Sequence, residues 1–221
     1  MSFLDTIYNE YYPSDARNVG IKVSGGADTG LLFYYTAKHI SENNLKQTLH
    51  PFTIVEASAP FQLLFSRAII DYTLHRFPQL DVSDHLVHHF SGDGPDKIPA
   101  MQKFVLEHFN AHTIDVILSG ITAAPKCDDF AEQTKNYNPP SDTRGTTVEP
   151  VRWIGTNGDN RNYSFPMINH DKRDVASEYE RLGILDLYER TRSCVLPATD
   201  FSKHCGECWW CAERLWAFGK L

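Results

Sequence analysis

Four cysteines lie close together near the C-terminal end of the sequence, and they constrain that segment more than any other feature does. Cys205, Cys208 and Cys211 form two overlapping Cys-x-x-Cys steps, and Cys194 precedes them. Four thiolates at this spacing can close a tetrahedron around one zinc ion, at about 2.3 Å from the metal. The spacing therefore predicts a structural zinc site, with an iron–sulfur cluster on the same four ligands as the alternative.

Other cysteines and histidines give weaker signals. A lone cysteine such as Cys127 is most often a small buried residue, although a thioester or a sulfur carrier is a second interpretation. His204 precedes Cys205 and is interpreted as a neighbour of the metal site, because four thiolates already suffice. No carboxylate spacing completes a metal site around the three histidines of a predicted strand, His85, His88 and His89.

Composition and charge narrow the class of protein. The 221 residues are 42% hydrophobic and 22% charged, as expected for one globular α/β domain with small appendages. The net charge is −7, and 21 basic residues against 28 acidic ones disfavour a nucleic-acid partner. We see neither an apolar run long enough to span a membrane nor a secretory leader. We therefore expect a cytoplasmic protein without a membrane partner, whose cysteines bind metal and do not form disulfides.

Strand and helix patterns alternate along the first half of the sequence. We predict strands at residues 18–23, 52–57, 84–90 and 114–118, and helices at 28–40, 61–77 and 98–109. This alternation is typical of a doubly wound, mostly parallel α/β sheet. Residues 122–149 are rich in turn-forming residues and predict an irregular loop. We expect an α/β core over residues 1–170 and a helical extension with the zinc site over 171–221, ending in a helix at 209–218.

A glycine turn joins the first predicted strand to the first predicted helix. Its sequence is Ser24-Gly25-Gly26-Ala27-Asp28-Thr29. Two glycines let the backbone approach an anion closely, and the start of the helix offers N–H groups and a positive dipole end. The alternative is an ordinary turn capped by Asp28 or Thr29. The spacing is not that of a Walker A loop.

This turn resembles the pyrophosphate loop of the N-type ATP pyrophosphatases, which share an adenine nucleotide α-hydrolase-like fold and cleave ATP to AMP and pyrophosphate. Within that group, the C-terminal half resembles the 7-cyano-7-deazaguanine synthase family. The first matching features are Gly120 after the fourth strand and a Pro-x-x-x-x-x-Lys stretch from Pro166 to Lys172. A Thr-x-Ser-Cys stretch follows, with Thr191, Ser193 and Cys194. The last is a Cys-x-x-Cys-x-x-Cys-x-x-Arg ending with a nearby Phe, formed by Cys205, Cys208, Cys211, Arg214 and Phe218.

The chain also departs from the family pattern. Ala27 and Thr29 replace the usual Met and Ser of the loop, and Thr29 keeps the hydroxyl. The family's Tyr-Gly-Gln and Pro-Gly-Arg-Asn motifs are replaced by residues 56–58 and 99–102.

The resemblance implies an ATP-dependent ligase that adenylates a carboxylate and joins it to ammonia, converting 7-carboxy-7-deazaguanine to 7-cyano-7-deazaguanine with the help of Mg²⁺. It implies that Asp28 and Lys172 are catalytic, although Lys172 as a plain surface lysine is an open alternative. A homodimer is also open. The residues expected to bind the pyrophosphate of ATP are Ser24, Gly25, Gly26, Asp28 and Thr29.

Three other functions stay open. The first is a relative that attaches a deazapurine or another acid to a macromolecule. The second is tRNA thiolation, which the acidic charge and the complete set of four cysteines disfavour. The third is a zinc interaction module without enzymatic activity, which leaves the glycine loop unexplained.

Two features of the last helix also have alternatives. Trp209 and Trp216 share a helical face and are predicted to pack in the core, with stacking on a purine-like ring as the second interpretation. Arg214 either packs on Trp210 or points to the active site.

Overall fold

The structure is a computed structural model. It describes residues 2–57, 59–90, 103–104, 107–108, 111, 113–125, 130, 151–153, 162–194 and 204–221. Cys127, nearly all of the predicted loop at 122–149 and most of the predicted helix at 98–109 lie outside these residues. Residues 103–104 and 107–108 are helical.

The described residues form six helices and seven strands. The helices are α1 (Phe3–Tyr11), α2 (Ala27–Glu42), α3 (Phe61–Arg76), α4 (Lys172–Arg181), α5 (Leu185–Tyr188) and α6 (Trp209–Phe218). The strands are β1 (Asn18–Lys22), β2 (Thr48–Glu56), β3 (Asp81–Val82), β4 (Leu86–Phe90), β5 (Val116–Ser119), β6 (Val151–Trp153) and β7 (Asn162–Ser164).

The strands form one sheet in the order β3-β2-β1-β5-β7-β6, and β4 pairs with the second half of β2. All pairs are parallel except β6 with β7. In the register, Ile21 of β1 lies opposite Pro51 of β2 and Leu118 of β5. The prediction of a mostly parallel α/β fold is confirmed. Because the central strands are parallel, their carboxyl ends share one edge of the sheet, where α/β proteins bind ligands.

The core strands are buried on both faces, which explains their nearly continuous apolar composition. All four residues of β5 are buried, and its neighbours Ile117 and Leu118 contribute to two different hydrophobic clusters. The Leu118 cluster includes α2, α4 and α5, whereas the Ile117 cluster includes Phe52 and Phe104. Alternate residues of a strand point to opposite faces, so the sheet has a packed layer on each side.

Several elements differ from the prediction, and strands β3, β6 and β7 were not predicted. Helix α1, which we did not predict, begins with a capping box in which Ser2 and Asp5 bind each other's backbone N–H groups. Strand β2 begins at Thr48, four residues earlier than predicted, and contains Pro51. None of the helices that the structure describes combines the length and the apolar composition needed to cross a membrane.

Candidate nucleotide site and metal centre

The glycine turn at residues 24–29, called the loop below, lies at the carboxyl edge between β1 and α2. Gly25 has a φ of +88°, and a Cβ there would lie 2.8 Å from the Cβ of Phe65. Only glycine fits this position without strain. Gly26 is the N-cap of α2 and makes no side-chain capping bond. The first N–H groups of α2 therefore have no N-cap side chain as acceptor, which suits an external anion.

The hydroxyls of the loop hold its shape. The N–H of Ser24 donates to Thr29 Oγ1 at 3.1 Å, and the hydroxyl of Thr29 donates to the carbonyl of Gly26 at 3.2 Å. The Ser24 hydroxyl lies 3.2 Å from the same Thr29 oxygen. Thr29 is buried. Thr29 therefore stabilises the loop through hydrogen bonds within it, and its contact with pyrophosphate stays a prediction from the sequence.

A short segment of the C-terminal region, residues 191–194, lies against the loop; we call it the strap. The N–H of Arg192 donates to the carbonyl of Gly25 at 2.8 Å. The Arg192 guanidinium is buried and lies 4.8 Å from the ring centre of Phe61, at the start of α3. From the other side, Gly120 allows β5 to approach closely, since a Cβ there would lie 3.0 Å from the Thr29 nitrogen. The loop is thus enclosed by β5, α3 and the strap.

Three charged side chains meet beside the loop. Lys172 Nζ forms a hydrogen-bonded ion pair with Asp28 Oδ2, and it lies 3.8 Å from Glu213 Oε2. Lys172 and Glu213 are 2% and 0% exposed, so the alternative of a surface lysine is wrong. The other oxygen of Asp28, Oδ1, is buried and has no hydrogen-bond partner in the part of the chain that the structure describes. That oxygen is the candidate ligand for a cation.

Local sequence explains why Lys172 points to the loop. Asp171 is the N-cap of α4 and forms a capping box with Asp174, which fixes the start of the helix. The preceding turn is held to the sheet edge, because the N–H of Ala123 donates to the carbonyl of His170 at 2.8 Å. The hydroxyl of Tyr179, further along α4, donates to the carbonyl of Ala27 at 2.8 Å. Burial, and next the charge of Asp28, raise the pKa of Tyr179 well above its usual value, so it stays a donor.

The four cysteine sulfurs meet at one point. Sγ–Sγ distances are 3.5 Å for Cys208–Cys211, 3.7 Å for Cys205–Cys211 and 4.0 Å for Cys194–Cys208, and all four sulfurs lie within 4.8 Å of one another. A tetrahedron with metal–sulfur bonds of 2.3 Å has edges of about 3.8 Å. The donor set therefore fits one tetrahedral ion. It is the only such metal-binding group among the described residues.

Electrostatics also favour a cation among the sulfurs. Burial raises the pKa of the Cys205 thiol, and a hydrogen bond with Cys208 together with burial raises that of Cys211. Crowded thiolates repel one another unless a metal ion compensates their charge. His204 is half-buried, and burial lowers its pKa to about 4, with Arg214 and Arg192 contributing. The group of candidate ligands consists of the four cysteines and does not include His204.

The metal centre joins the strap to α6. Cys194 ends the strap, Cys208 is the N-cap of α6, and Cys211 lies in its first turn. Further along α6, Arg214 donates to Thr191 Oγ1 at 2.8 Å and to the carbonyl of Tyr188 at 3.0 Å.

The Arg214 guanidinium lies 3.8 Å from the ring centre of Tyr188. Arg214 therefore holds the strap, a role that neither interpretation from the sequence included. Trp216 is buried, as predicted, whereas Trp209 is half-buried, and Phe130 contacts Trp209 and Trp216 at 4.8 and 5.2 Å between ring centres.

Sequence reasoning missed Glu213, which completes the charged cluster. Its only local signal is its position two residues after Cys211. Among the histidines, Nε2 of His85 lies 2.8 Å from the Thr53 hydroxyl, and His88 packs at 5.1 Å from the Phe104 ring centre. These contacts give both histidines packing roles.

No protein-family profile and no curated protein matches the chain. Among solved structures, NMN synthetase from Francisella tularensis is 11% identical with a TM-score of 0.51, over 99% of this chain and 86% of that one. U34-tRNA thiolase from Methanococcus maripaludis, solved with its 4Fe-4S cluster, is 11% identical with a TM-score of 0.48, over 82% of this chain and 62% of that one. NH3-dependent NAD synthetase from Campylobacter jejuni is 11% identical with a TM-score of 0.45, over 84% of this chain and 72% of that one.

These similarities concern the fold. The match to NMN synthetase shows that the chain shares its parallel α/β fold. The matches with TM-scores below 0.5 carry no further argument, and the chain spans less than two thirds of the thiolase.

Proposed function

We propose that the protein is an ATP-dependent ligase that adenylates a carboxylate, releases pyrophosphate and AMP, and forms a carbon–nitrogen bond. One observation carries the proposal. The glycine loop lies at the carboxyl edge of a parallel sheet, with Lys172 bound to one oxygen of Asp28 and the other oxygen buried without a described partner. An anion-binding loop, a buried cation and a carboxylate beside it are the parts that phosphoryl and nucleotidyl transfer need.

The chemistry follows from the weak electrophilicity of a carboxylate. A carboxylate oxygen of the substrate attacks the α-phosphorus of ATP, and the bond from that phosphorus to the bridging oxygen breaks, so that pyrophosphate leaves. Ammonia then attacks the acyl carbon, loses a proton and expels AMP, which gives the amide. The N–H groups of the loop and the Lys172 ammonium stabilise the charge that develops on the pyrophosphate.

Mg²⁺ fits the remaining oxygen of Asp28. A hard divalent cation prefers one or two protein carboxylates together with substrate phosphates. Bound there, it would neutralise phosphate charge and orient the leaving group. The residue of this chain that would hold it is Asp28, which Lys172 keeps in place.

We infer that the acid substrate is 7-carboxy-7-deazaguanine and that the final product is the nitrile. Support comes from the resemblance carried by Pro166, Lys172, Thr191, Ser193 and Arg214. In the nitrile-forming step, the amide oxygen attacks the α-phosphorus of a second ATP. Pyrophosphate leaves, and loss of both nitrogen-bound protons and of AMP, which carries away that oxygen, then leaves the carbon–nitrogen triple bond.

For the metal centre we propose one structural zinc ion. The sulfur–sulfur distances of 3.5–4.0 Å match the edges of a tetrahedron around one ion. A 4Fe-4S cluster binds each thiolate to a different iron, which requires wider separations. Because Cys194, Cys208 and Cys211 are buried, the site leaves little room for a water ligand of the kind that catalytic zinc needs.

The decisive experiment identifies the nucleotide product. The purified protein is incubated with ATP, Mg²⁺ and ammonia, with and without 7-carboxy-7-deazaguanine, and the nucleotides are separated by chromatography. We expect AMP and pyrophosphate that depend on the acid, and none from the Asp28→Asn variant. Formation of ADP, or no turnover with any carboxylic acid tested, would contradict the ligase. AMP formation with another acid but not with this one would contradict only the substrate assignment.

A further inference from the structure

We propose that Glu213 is a positioning residue, which acts through Lys172 to hold the phosphate loop in its reactive geometry. This inference rests on the proposed function and deepens it. Nothing in the sequence motifs singles out Glu213. The inference depends on three contacts: Asp28 with Lys172, Lys172 with Glu213, and Arg214 with the strap.

Lys172 forms ion pairs with two carboxylates, those of Asp28 and Glu213. A lysine has a flexible four-carbon stem, and one ion pair leaves its ammonium several rotamers. Two carboxylates at different positions restrict the ammonium to the region between them. Glu213 therefore determines where Lys172 lies relative to Asp28.

The burial of Glu213 and Lys172 favours a functional role for this pair. Glu213 is 0% exposed and Lys172 is 2% exposed. A fully buried carboxylate is costly to desolvate, and a structural role alone is often served as well by an apolar residue. The distance of 3.8 Å between Lys172 Nζ and Glu213 Oε2 is longer than a hydrogen bond, whereas the contact of Lys172 with Asp28 is a close one. Lys172 is thus bound closely to Asp28 of the loop, and the more distant Glu213 of α6 restricts its position.

Helix α6 connects this charged cluster to the four cysteines. Glu213 lies two residues beyond Cys211 and one residue before Arg214, both of which fix α6. Arg214 binds Thr191 of the strap, and the strap binds the carbonyl of Gly25. The same turn of α6 therefore reaches the loop by two routes, one through Lys172 and one through the strap. A metal ion bound by the four cysteines would fix the position of that turn.

The experiment compares Glu213→Gln with Glu178→Gln. Both replace a buried carboxylate by its isosteric amide, but Glu178 pairs with Arg181, on the same helix, and not with Lys172. We expect Glu213→Gln to lower kcat for AMP formation by about 10- to 100-fold, because misplacement of a catalytic group has effects of this size. The KM for ATP should change little, since binding through the loop is retained. Glu178→Gln should keep the wild-type kcat, and Glu213→Asp should recover part of the loss.

A double variant separates positioning from general instability. In a Lys172→Met background, Glu213→Gln should cause no further loss of kcat, because its effect passes through the missing ammonium. Zinc content and thermal unfolding of each variant report its folding. An unchanged kcat in Glu213→Gln, an equal loss in Glu178→Gln, or multiplicative losses in the double variant would overturn the inference and leave the proposed function intact. A wild-type protein that forms no AMP would overturn the proposed function and this inference with it.

Discussion

Lys172, the first residue of α4, forms a buried ion pair with Asp28 in the first turn of α2, 144 residues earlier in the sequence. The N-terminal ends of two helices therefore meet at one point of the sheet edge. Each end carries a partial positive charge, and the Lys172 ammonium adds a full one. This convergence makes the point suitable for a polyphosphate.

Removing Lys172 should destabilise the fold more than neutralising Asp28 does. In Lys172→Met, the carboxylates of Asp28 and Glu213 remain without the cation between them, and breaking a buried pair in this way costs about 3–5 kcal/mol. In Asp28→Asn, Lys172 keeps Glu213 as a partner. Urea unfolding at neutral pH measures both changes. Equal free energies of unfolding for the two variants would contradict the arrangement. AMP formation should be lost in Asp28→Asn and should fall to a low but measurable rate in Lys172→Met.

The two adjacent glycines of the loop should respond differently to alanine. Gly25→Ala places a side chain at φ +88° and 2.8 Å from Phe65, so it should lower the free energy of unfolding by at least about 1–2 kcal/mol. Gly26→Ala has a φ of −82°, and its Cβ would meet nothing closer than 3.6 Å. It should cost less than about 1 kcal/mol but weaken ATP binding, because its methyl group narrows the approach of the phosphates. Calorimetric titration with ATP and thermal unfolding distinguish the two effects; full ATP affinity in Gly26→Ala would argue against an anion at this loop.

Metal analysis should find one zinc ion per chain. Removal by a chelator should unfold α6 and the strap, because the bonds from the metal ion to the thiolates would hold these two segments together. Cys194→Ser should weaken zinc binding and release the strap, which would lower ATP affinity as well. Zinc binding should also weaken as the pH falls, since the thiols must lose protons to bind. Iron with acid-labile sulfide in the protein, or ATP affinity that survives zinc removal, would contradict this account.

His85 should make the fold less stable at acidic pH. The Thr53 hydroxyl donates to the carbonyl of Val23 at 2.6 Å, so His85 Nε2 is the donor to Thr53. The buried Nδ1 has no hydrogen-bond partner among the described residues, and a proton added there would have no acceptor among them. Burial, and next the charge of Arg67, lower the pKa of His85. Below about pH 6.5, the unfolded chain therefore binds a proton that the folded chain does not, so the free energy of unfolding falls as the pH falls.

The test compares His85→Gln with His75→Gln, which changes an exposed histidine of α3. Urea unfolding between pH 7.5 and 5.5 should give a smaller pH dependence for His85→Gln than for the wild type. His75→Gln should keep the wild-type dependence. Burial also lowers the pKa values of His39 and His50, so part of the pH dependence should persist in His85→Gln. An unchanged dependence in that variant would show that His85 is not the group responsible.

Local patterns in the sequence predicted the features that local physics determines. The turn at Gly25 and Gly26, the helix after it and the apolar strand at residues 116–119 follow from backbone freedom and hydrophobic periodicity. The early start of β2 was missed because Pro51 ordinarily marks the end of a strand. The apolar run at residues 165–168 reads as strand-like but is a buried turn, because a short apolar run does not distinguish the two. The capping box of Ser2 and Asp5 was a local signal that could have revealed α1.

The charged cluster could not be predicted in full, because its members meet only through tertiary packing. Asp28 and Lys172 were identified through a motif, but no pattern connects either of them to Glu213. Arg214 was assigned to Trp210 or to the active site because helix spacing shows which residues share a face and not which neighbour covers it. The contact between Arg214 and Thr191 depends on how the cysteines fold the chain back.

The order in which the ribosome synthesises the chain has a consequence for the loop and the strap. The ribosome makes the loop at residues 24–29 before Lys172, Arg192 and Glu213, and Lys172 follows Asp28 by 144 residues. A fragment that stops before α4 contains the glycine turn without the groups that position it. Such a fragment should therefore be unable to convert ATP to AMP, and activity should begin only after α6 has been made and the four cysteines have bound a metal ion.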